Sequence, residues 1–335
     1  MKTLALFFAV SAAACAQDST PVVTNARFES RAYSGDLAAQ IRAGSATWFG
    51  YAVKALPNHG MQCGWRLEGG PDIFSGAPSP SGPVHLEGST TVDVLFRVEN
   101  NAVQKIRIYS TDCSLEAGGL PFVWITGVPA KASLAYLQTF VSANGADHTL
   151  EPALLAISMH DDAQADAILE QLTRPAAAQR IREKAIFWLG ANRGARGVAV
   201  LKSILETDAS DQIRDKAIFA LSISKQPDAL NPIIRAAHND SSPHVRAQAL
   251  FWLAQRSGES AAATIVGAIE NDPDTEVKKR AVFALSQLPK DEAIPKLIEV
   301  ARSQRNSEVR KQAFFWLGQS GDPRALAFIE QTLVP

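Results

Sequence analysis

Five blocks of this sequence nearly copy one another: IREKAIFWLG from Ile181, IRDKAIFALS from Ile213, VRAQALFWLA from Val245, VKKRAVFALS from Val277 and VRKQAFFWLG from Val309. Each begins 32 residues after the last. A fixed period between roughly 20 and 50 residues marks a solenoid, because a unit that short cannot bury its apolar face alone and stacks on its neighbours. Within a block, an Ala follows four residues after the β-branched start (Ala185, Ala217, Ala249, Ala281, Ala313) and a Leu four beyond that, which puts the column on one helical face. Turn residues follow, at Gly190-Ala191-Asn192, Lys225-Gln226-Pro227, Pro289-Lys290-Asp291 and Gly321-Asp322-Pro323. A second helix then aligns Leu201, Ile233, Ile265, Leu297 and Ile329. Asp208, Asp240 and Asp272 stand in the next turn, where a carboxylate can cap backbone N–H groups.

A degenerate unit starts at Thr149, with Ala153, Leu155 and Ile157 in register, so about six 32-residue helix pairs fill residues 149–335. Ala132 to Val141 reads as an amphipathic helix in a junction over 129–148. The block Val309-Arg310-Lys311-Gln312-Ala313-Phe314-Phe315-Trp316-Leu317-Gly318 resembles the consensus V-R-x-x-A-x-x-A-L-G of the short bacterial HEAT-like repeats of the phycobilisome-lyase type, with Trp316 in place of the second alanine. The resemblance implies an all-α solenoid and, among its relatives, scaffolds, enzyme-assembly factors and a few enzymes. Neither the tetratricopeptide nor the ankyrin pattern occurs.

Two columns depart from that consensus. Trp188, Ala220, Trp252, Ala284 and Trp316 alternate, doubling the true period to 64. Large-against-small packing between neighbouring repeats is the expected meaning, with an exposed tryptophan platform as the alternative. Phenylalanine recurs at Phe187, Phe219, Phe251, Phe283 and Phe315, on a part of the helix where such repeats tolerate polar residues. The rings either lie between adjacent first helices under lysine and arginine stems, or form an aromatic, cation-flanked stripe that binds a polypeptide. The second helices offer outward positions of small size or mixed sign, Arg235, Glu299 and Arg302 among them. These suit a protein surface better than a phosphate backbone.

The chain before the repeats has a different character. Lys2, the apolar run Leu4 to Val10, and Ala14-Cys15-Ala16 form an export signal over 1–16, with a periplasmic or secreted destination. A second reading acylates Cys15, giving a lipid anchor. No other run is long enough for a transmembrane helix in the mature chain. Residues 17–128 read as a small β-rich domain, making the chain α+β as a whole. Asp36 to Ala43 is a short helix, Thr47 to Val53 an aromatic-rich strand, and Pro121 to Ile125 a last strand. Thr91 to Glu99, Asn100-Asn101 and Ala102 to Tyr109 form a hairpin that buries one face through Val92, Val94, Phe96 and Val98. Trp48, Phe49, Tyr51 and Trp65 are expected in the core. Cys63 and Cys113 remain after the signal and would form a disulfide worth roughly 3 to 4 kcal/mol, against the alternative of two buried thiols.

A net charge of −1 gives no overall field to attract nucleic acid. No residue set identifies a metal, a cofactor or a reaction: neither GxSxG nor a P-loop occurs. Some relatives are di-iron hydroxylases with His-Glu pairs, and none of the six histidines here precedes a Glu. His160-Asp161-Asp162, the tightest His/acid cluster, reads as solvated turn polarity. The expected function is therefore an exported scaffold that binds another protein or peptide, not an enzyme. The alternative is an enzyme or assembly factor with its site in the first domain or at the junction, and a third reading is self-association.

Overall fold

The computed structural model describes residues 20–57, 89–142, 145–256 and 259–333. The chain divides into two compact units, one up to Ala165 and one from Asp166 onward.

The first unit is built on a five-stranded mixed sheet in the order β2-β7-β3-β4-β5, from β2 (Arg27–Ala32), β3 (Thr47–Lys54), β4 (Thr91–Glu99), β5 (Ala102–Ser110) and β7 (Pro121–Thr126). β7 runs parallel to both β2 and β3, and β3-β4-β5 is an antiparallel meander. A two-residue ribbon pairs β1 (Val23–Thr24) with β6 (Leu115–Glu116). Asn100 and Asn101 both take positive φ at the hairpin tip, the geometry that lets a two-residue turn follow the twist of its strands. The expected helix from Asp36 is a single turn, α1 (Leu37–Gln40), capped by Asp36. It ends at Ile41, which leaves the helical conformation, and beyond it the Ala43 and Gly44 carbonyls accept the Asn101 and Asn100 N–H groups of the hairpin.

One sheet face buries Phe49, Tyr51, Val94, Phe96, Ile106 and Ile108, with α2 (Ala130–Gln138) contributing Leu134 and Leu137. The hairpin was expected to bury only this face. Instead Asp93 and Leu95 are buried on the other, where Leu95, Phe122, Trp124, Cys113 and Leu115 make a second apolar cluster. The N-terminal segment 1–16, Cys15, Cys63 and Trp65 lie outside the described residues.

The repeat signal at Thr149 forms α3 (Asp147–Met159) and α4 (Ala163–Thr173), with Ala153, Leu155 and Ile157 buried. Five helix pairs follow: α5 (Gln179–Asn192) with α6 (Gly194–Thr207), α7 (Asp211–Ile223) with α8 (Leu230–Asn239), α9 (Pro243–Arg256) with α10 (Glu259–Asn271), α11 (Thr275–Ser286) with α12 (Lys290–Ser303), and α13 (Ser307–Gln319) with α14 (Pro323–Leu333). Side-chain caps start three of the first helices, from Ser210, Asp274 and Asn306. The Ala column and the Leu column after it are buried throughout, so the face read from the sequence is the face that packs. Consecutive first helices touch one another, α5 to α7 to α9 to α11 to α13, forming one layer of the solenoid. No described helix is long and apolar enough to cross a membrane.

Candidate interaction surface

The phenylalanine and tryptophan columns meet in space. Trp188 packs edge-on against Phe187, centroids 4.8 Å apart, and Phe187 stacks on Phe219 at 6.2 Å. Phe219 then tilts against Trp252 at 4.9 Å, Trp252 against Phe251 at 5.0 Å, and Phe251 stacks on Phe283 at 6.1 Å. Phe283 meets Trp316 at 5.0 Å, and Trp316 meets Phe315 at 5.0 Å. Eight rings thus make an unbroken ladder across all five first helices, within the spacing that favours offset and edge-to-face pairs. The alternation of Trp with Ala produces two kinds of seam. Phe stacks on Phe where the following helix carries alanine (Ala220, Ala284), and Phe meets Trp where it carries tryptophan.

The ladder is neither buried nor free. Phe187, Phe219, Phe251 and Phe283 are half-buried, while Phe315 is 53% exposed. Trp188 is buried; Trp252 and Trp316 are half-buried. The indole N–H groups of Trp188 and Trp316 have no acceptor among the described residues, so these rings are placed for packing rather than for hydrogen bonding.

The three polar candidates do not form one cluster. Arg235 is on α8, exposed, and 3.6 Å from Glu206. Glu299 and Arg302 are exposed on α12, with the Arg302 guanidinium 4.9 Å from the centroid of the Phe328 ring.

A second ladder, absent from the reading of the sequence, runs beside the first. Arg182 reaches Asp208, Arg214 reaches Asp240 and Arg246 reaches Asp272, always 26 positions on. Arg214 and Arg246 each grip both oxygens of the carboxylate, through Nε and Nη2 at 2.7 to 2.9 Å. Each pair is buried and ties a first helix to the turn closing its own repeat. Asp208, Asp240 and Asp272 also accept the backbone N–H two residues later, the capping role read from the sequence. Burial, the largest influence, pushes the Asp272 carboxyl up, but the Arg246 bond, the Asp274 N–H and the Arg246 and Lys278 charges together hold it below the usual range. The signal was present: Arg at the second position of the block, and Asp 26 residues on. In the fourth of the five blocks both change together, to Lys278 and Gln304.

Two polar groups in the first unit stand apart. His160, expected in a solvated turn, is fully buried: its Nε2 lies 2.9 Å from Ser133 Oγ, which is 2.9 Å from Tyr51 Oη, and its Nδ1 lies 2.7 Å from Ala156 O. The turn is drawn inward by backbone bonds, Leu56 N–H to Met159 O and Asp161 N–H to Lys54 O, which continue the edge of β3. The result pins α2 and α3 to the sheet. Asp93 is also fully buried, with neither oxygen bonded among the described residues. Burial pushes its carboxyl up to about 7, a rise that the nearby Thr111 hydroxyl opposes and the Asp112 charge adds to. Among the described residues no group of three or more His, Cys, Asp or Glu side chains is placed to hold a metal.

The repeat geometry agrees with sequence comparison. The family model described as HEAT repeats matches in four overlapping stretches, 165–254, 198–285, 230–314 and 262–334, together half of the chain. This protein belongs to the HEAT-repeat family. The starts of the HEAT matches step through the chain by roughly one repeat at a time, at 165, 198, 230 and 262. No curated protein matches the chain in sequence. Among solved structures similar to this HEAT-repeat chain, human deoxyhypusine hydroxylase in complex with glycerol is 19% identical, with 61% of this chain and 90% of that one covered and a TM-score of 0.26. The complex of CpcE and CpcF of phycocyanin lyase from Nostoc sp. PCC7120 is 22% identical, covering 46% and 99%, with a TM-score of 0.35. Kap121p is 13% identical, covering 61% and 27%, with a TM-score of 0.38.

Proposed function

We propose that this HEAT-repeat protein is an exported scaffold that captures another polypeptide along the aromatic ladder of its first helices. The supporting observation is the continuity of the ladder. Eight rings touch in sequence, four phenylalanines keep part of their surface in water, and the last, Phe315, is mostly exposed. The rings contribute to packing between first helices, yet each leaves apolar surface in water at a position that could be polar, and a continuous stripe of such surface marks an interaction face. An amphipathic segment laid across such rings would bury them, the helix-in-groove mode of peptide recognition. Export rests on the N-terminal signal, with the mature protein periplasmic or secreted and Cys15 a candidate lipid anchor. In that setting Cys63 and Cys113 would form a disulfide, and the burial of Cys113 suits it.

The test replaces Phe219, Phe251 and Phe283 together by Gln. We expect a chain that still melts cooperatively, at a lower temperature, and that no longer retains the peptides held by the wild type from an immobilised library. Retention by the folded triple variant would remove the ladder as the site and move it to the face bearing Arg235, Glu299 and Arg302.

A further inference from the structure

β2 is one edge of the five-stranded sheet among the described residues, and all six of its residues are exposed. The Tyr33 N–H donates to Thr126 O, and the Thr126 hydroxyl donates to Arg31 O. In the parallel register with β7, this turns the backbone groups of odd-numbered residues toward β7 and those of even-numbered residues outward. The outward row is therefore Phe28, Ser30 and Ala32. A side chain already pairs with one end of it. The Gln40 amide donates to Ala32 O at 3.0 Å and accepts from the Ser34 N–H at 2.9 Å, standing where a neighbouring strand would place a peptide group. Among the described residues nothing pairs with the outward groups of Phe28 and Ser30, and such an edge is a template for a further strand.

The two faces of β2 differ. On one, Phe28 is 42% exposed and stacks on Phe122, centroids 6.0 Å apart and planes 14° from parallel. Phe122 stacks in turn on Trp124 at 6.5 Å. A row of aromatic rings thus crosses the sheet and stops at its edge with a ring still partly in water. On the other face Arg27, Glu29 and Arg31 alternate in sign, and Arg31 grips both Glu29 oxygens, at 2.6 and 2.9 Å.

We propose that β2 pairs antiparallel with β2 of a second copy of this chain, Phe28 opposite Phe28, so that two sheets become one. An outward row of even-numbered residues can meet its own copy in three registers, centred on Phe28, on Glu29 or on Ser30. Centring on Glu29 sets Glu29 against Glu29 and Arg27 against Arg31, like charges directly opposite one another. Centring on Ser30 needs Ala32 O, which Gln40 holds. Centring on Phe28 sets Arg27 of each copy against Glu29 of the other. On the opposite face it carries the aromatic row without a break from Trp124 of one copy to Trp124 of the other. Charge, hydrogen bonding and ring packing therefore select the same register. The surface belongs to the first unit and does not rest on the role of the Phe and Trp ladder. Two six-residue strands make a small contact, so the dimer dissociates on dilution.

The experiment follows the sedimentation of the whole protein from about 1 to 100 µM, the range in which a contact of this size associates. We expect monomer and dimer in equilibrium. Arg27→Glu alone places carboxylates opposite each other in both cross-strand pairs, and Glu29→Arg alone places guanidinium groups there. Each is expected to weaken the dimer by about tenfold or more with the thermal midpoint little changed, both positions being exposed. Mixed one to one, the two variants again set opposite charges against each other in both pairs, and a heterodimer should form. A wild type that stays monomeric throughout would overturn the proposal and leave the edge to an extended segment of another protein. Single variants that dimerise like the wild type, or a mixture no more associated than its parts, would overturn it equally. The triple Phe→Gln variant of the ladder should dimerise as the wild type does, so failure of one surface is distinguishable from failure of the other.

Discussion

Arg246 and Asp272 are joined by two parallel hydrogen bonds, Nε to Oδ2 at 2.7 Å and Nη2 to Oδ1 at 2.9 Å, with both side chains buried. Nothing between them in sequence is needed for the contact except that one helix pair bring its end back to its beginning. The pair therefore measures whether a repeat is closed.

Removing one partner strands the other. Arg246→Ala is expected to cost about 3 to 5 kcal/mol in urea unfolding, since a buried Asp272 is left without its cation. Replacing both residues by leucine should cost markedly less, because the desolvation penalty disappears with the charges. The pH dependence follows in sign: a carboxyl held low stabilises fully above the unfolded carboxylate range and loses that contribution as pH falls through its depressed value. A single-variant loss below about 1 kcal/mol would show a pair screened like a surface bridge.

Trp188 and Phe315 lie at opposite ends of the aromatic ladder and differ in burial. Trp188→Ala should cost about 3 kcal/mol or more, as large-to-small core changes do. Phe315→Ala should cost about 1 kcal/mol or less, the edge contact with Trp316 being its main loss. Chemical denaturation of the two variants is the measurement, and equal costs would contradict the described gradient.

Gly190 and Gly318 occupy the same place in the first and last of the five blocks. A Cβ at Gly190 would stand 2.2 Å from the Ala220 carbonyl oxygen, whereas one at Gly318 would meet nothing within 4 Å. Gly190→Ala is expected to destabilise by about 1 to 3 kcal/mol through overpacking of α5 against α7. Gly318→Ala, in the open last turn of α13, should stabilise by roughly 0.5 kcal/mol. Opposite shifts in thermal midpoint are the readout.

Asp93 carries the opposite pH signature from Asp272. Its folded value near 7 exceeds the unfolded carboxylate value, so the native state keeps a proton that the unfolded chain gives up. Stability should be undiminished below about pH 4, fall as pH rises toward 7, and stay low above it, by roughly 4 kcal/mol in total. Asp93→Asn should abolish that slope and raise stability at pH 8. A wild type whose first unit melts alike at pH 5 and pH 8 would contradict the burial.

The repeats were legible because a 32-residue copy prints its core column five times: Ala185, Leu189 and their equivalents read as buried and are buried. The aromatic columns were visible as columns, but their meeting was not, because ring contact depends on the rotation of one helix against the next. The arginine rungs were missed for a different reason. The aspartates already had a sufficient local role as caps, and a partner 26 residues away leaves no local period. In the first unit, Thr91 to Glu99 shows polar residues at alternate positions, which reads as one wet face. That reading fails at Asp93 and Leu95 because a second apolar cluster, built from Phe122, Trp124, Cys113 and Leu115, covers the other side. His160 likewise reads as a turn residue, and only the backbone pairing beyond β3 draws it inside.

The alternation of tryptophan with alanine also sets a counting rule for the solenoid. Helices α5 and α7 meet through Phe on Phe, α7 and α9 through Phe on Trp, and the two seams alternate thereafter. Excising one helix pair would bring α5 against α9, setting Trp188 beside Trp252 where the small Ala220 now lies. Excising two pairs would restore a seam of an existing kind. By this parity the array can lengthen or shorten in steps of 64 residues, and its smallest transplantable module is a pair of repeats rather than one.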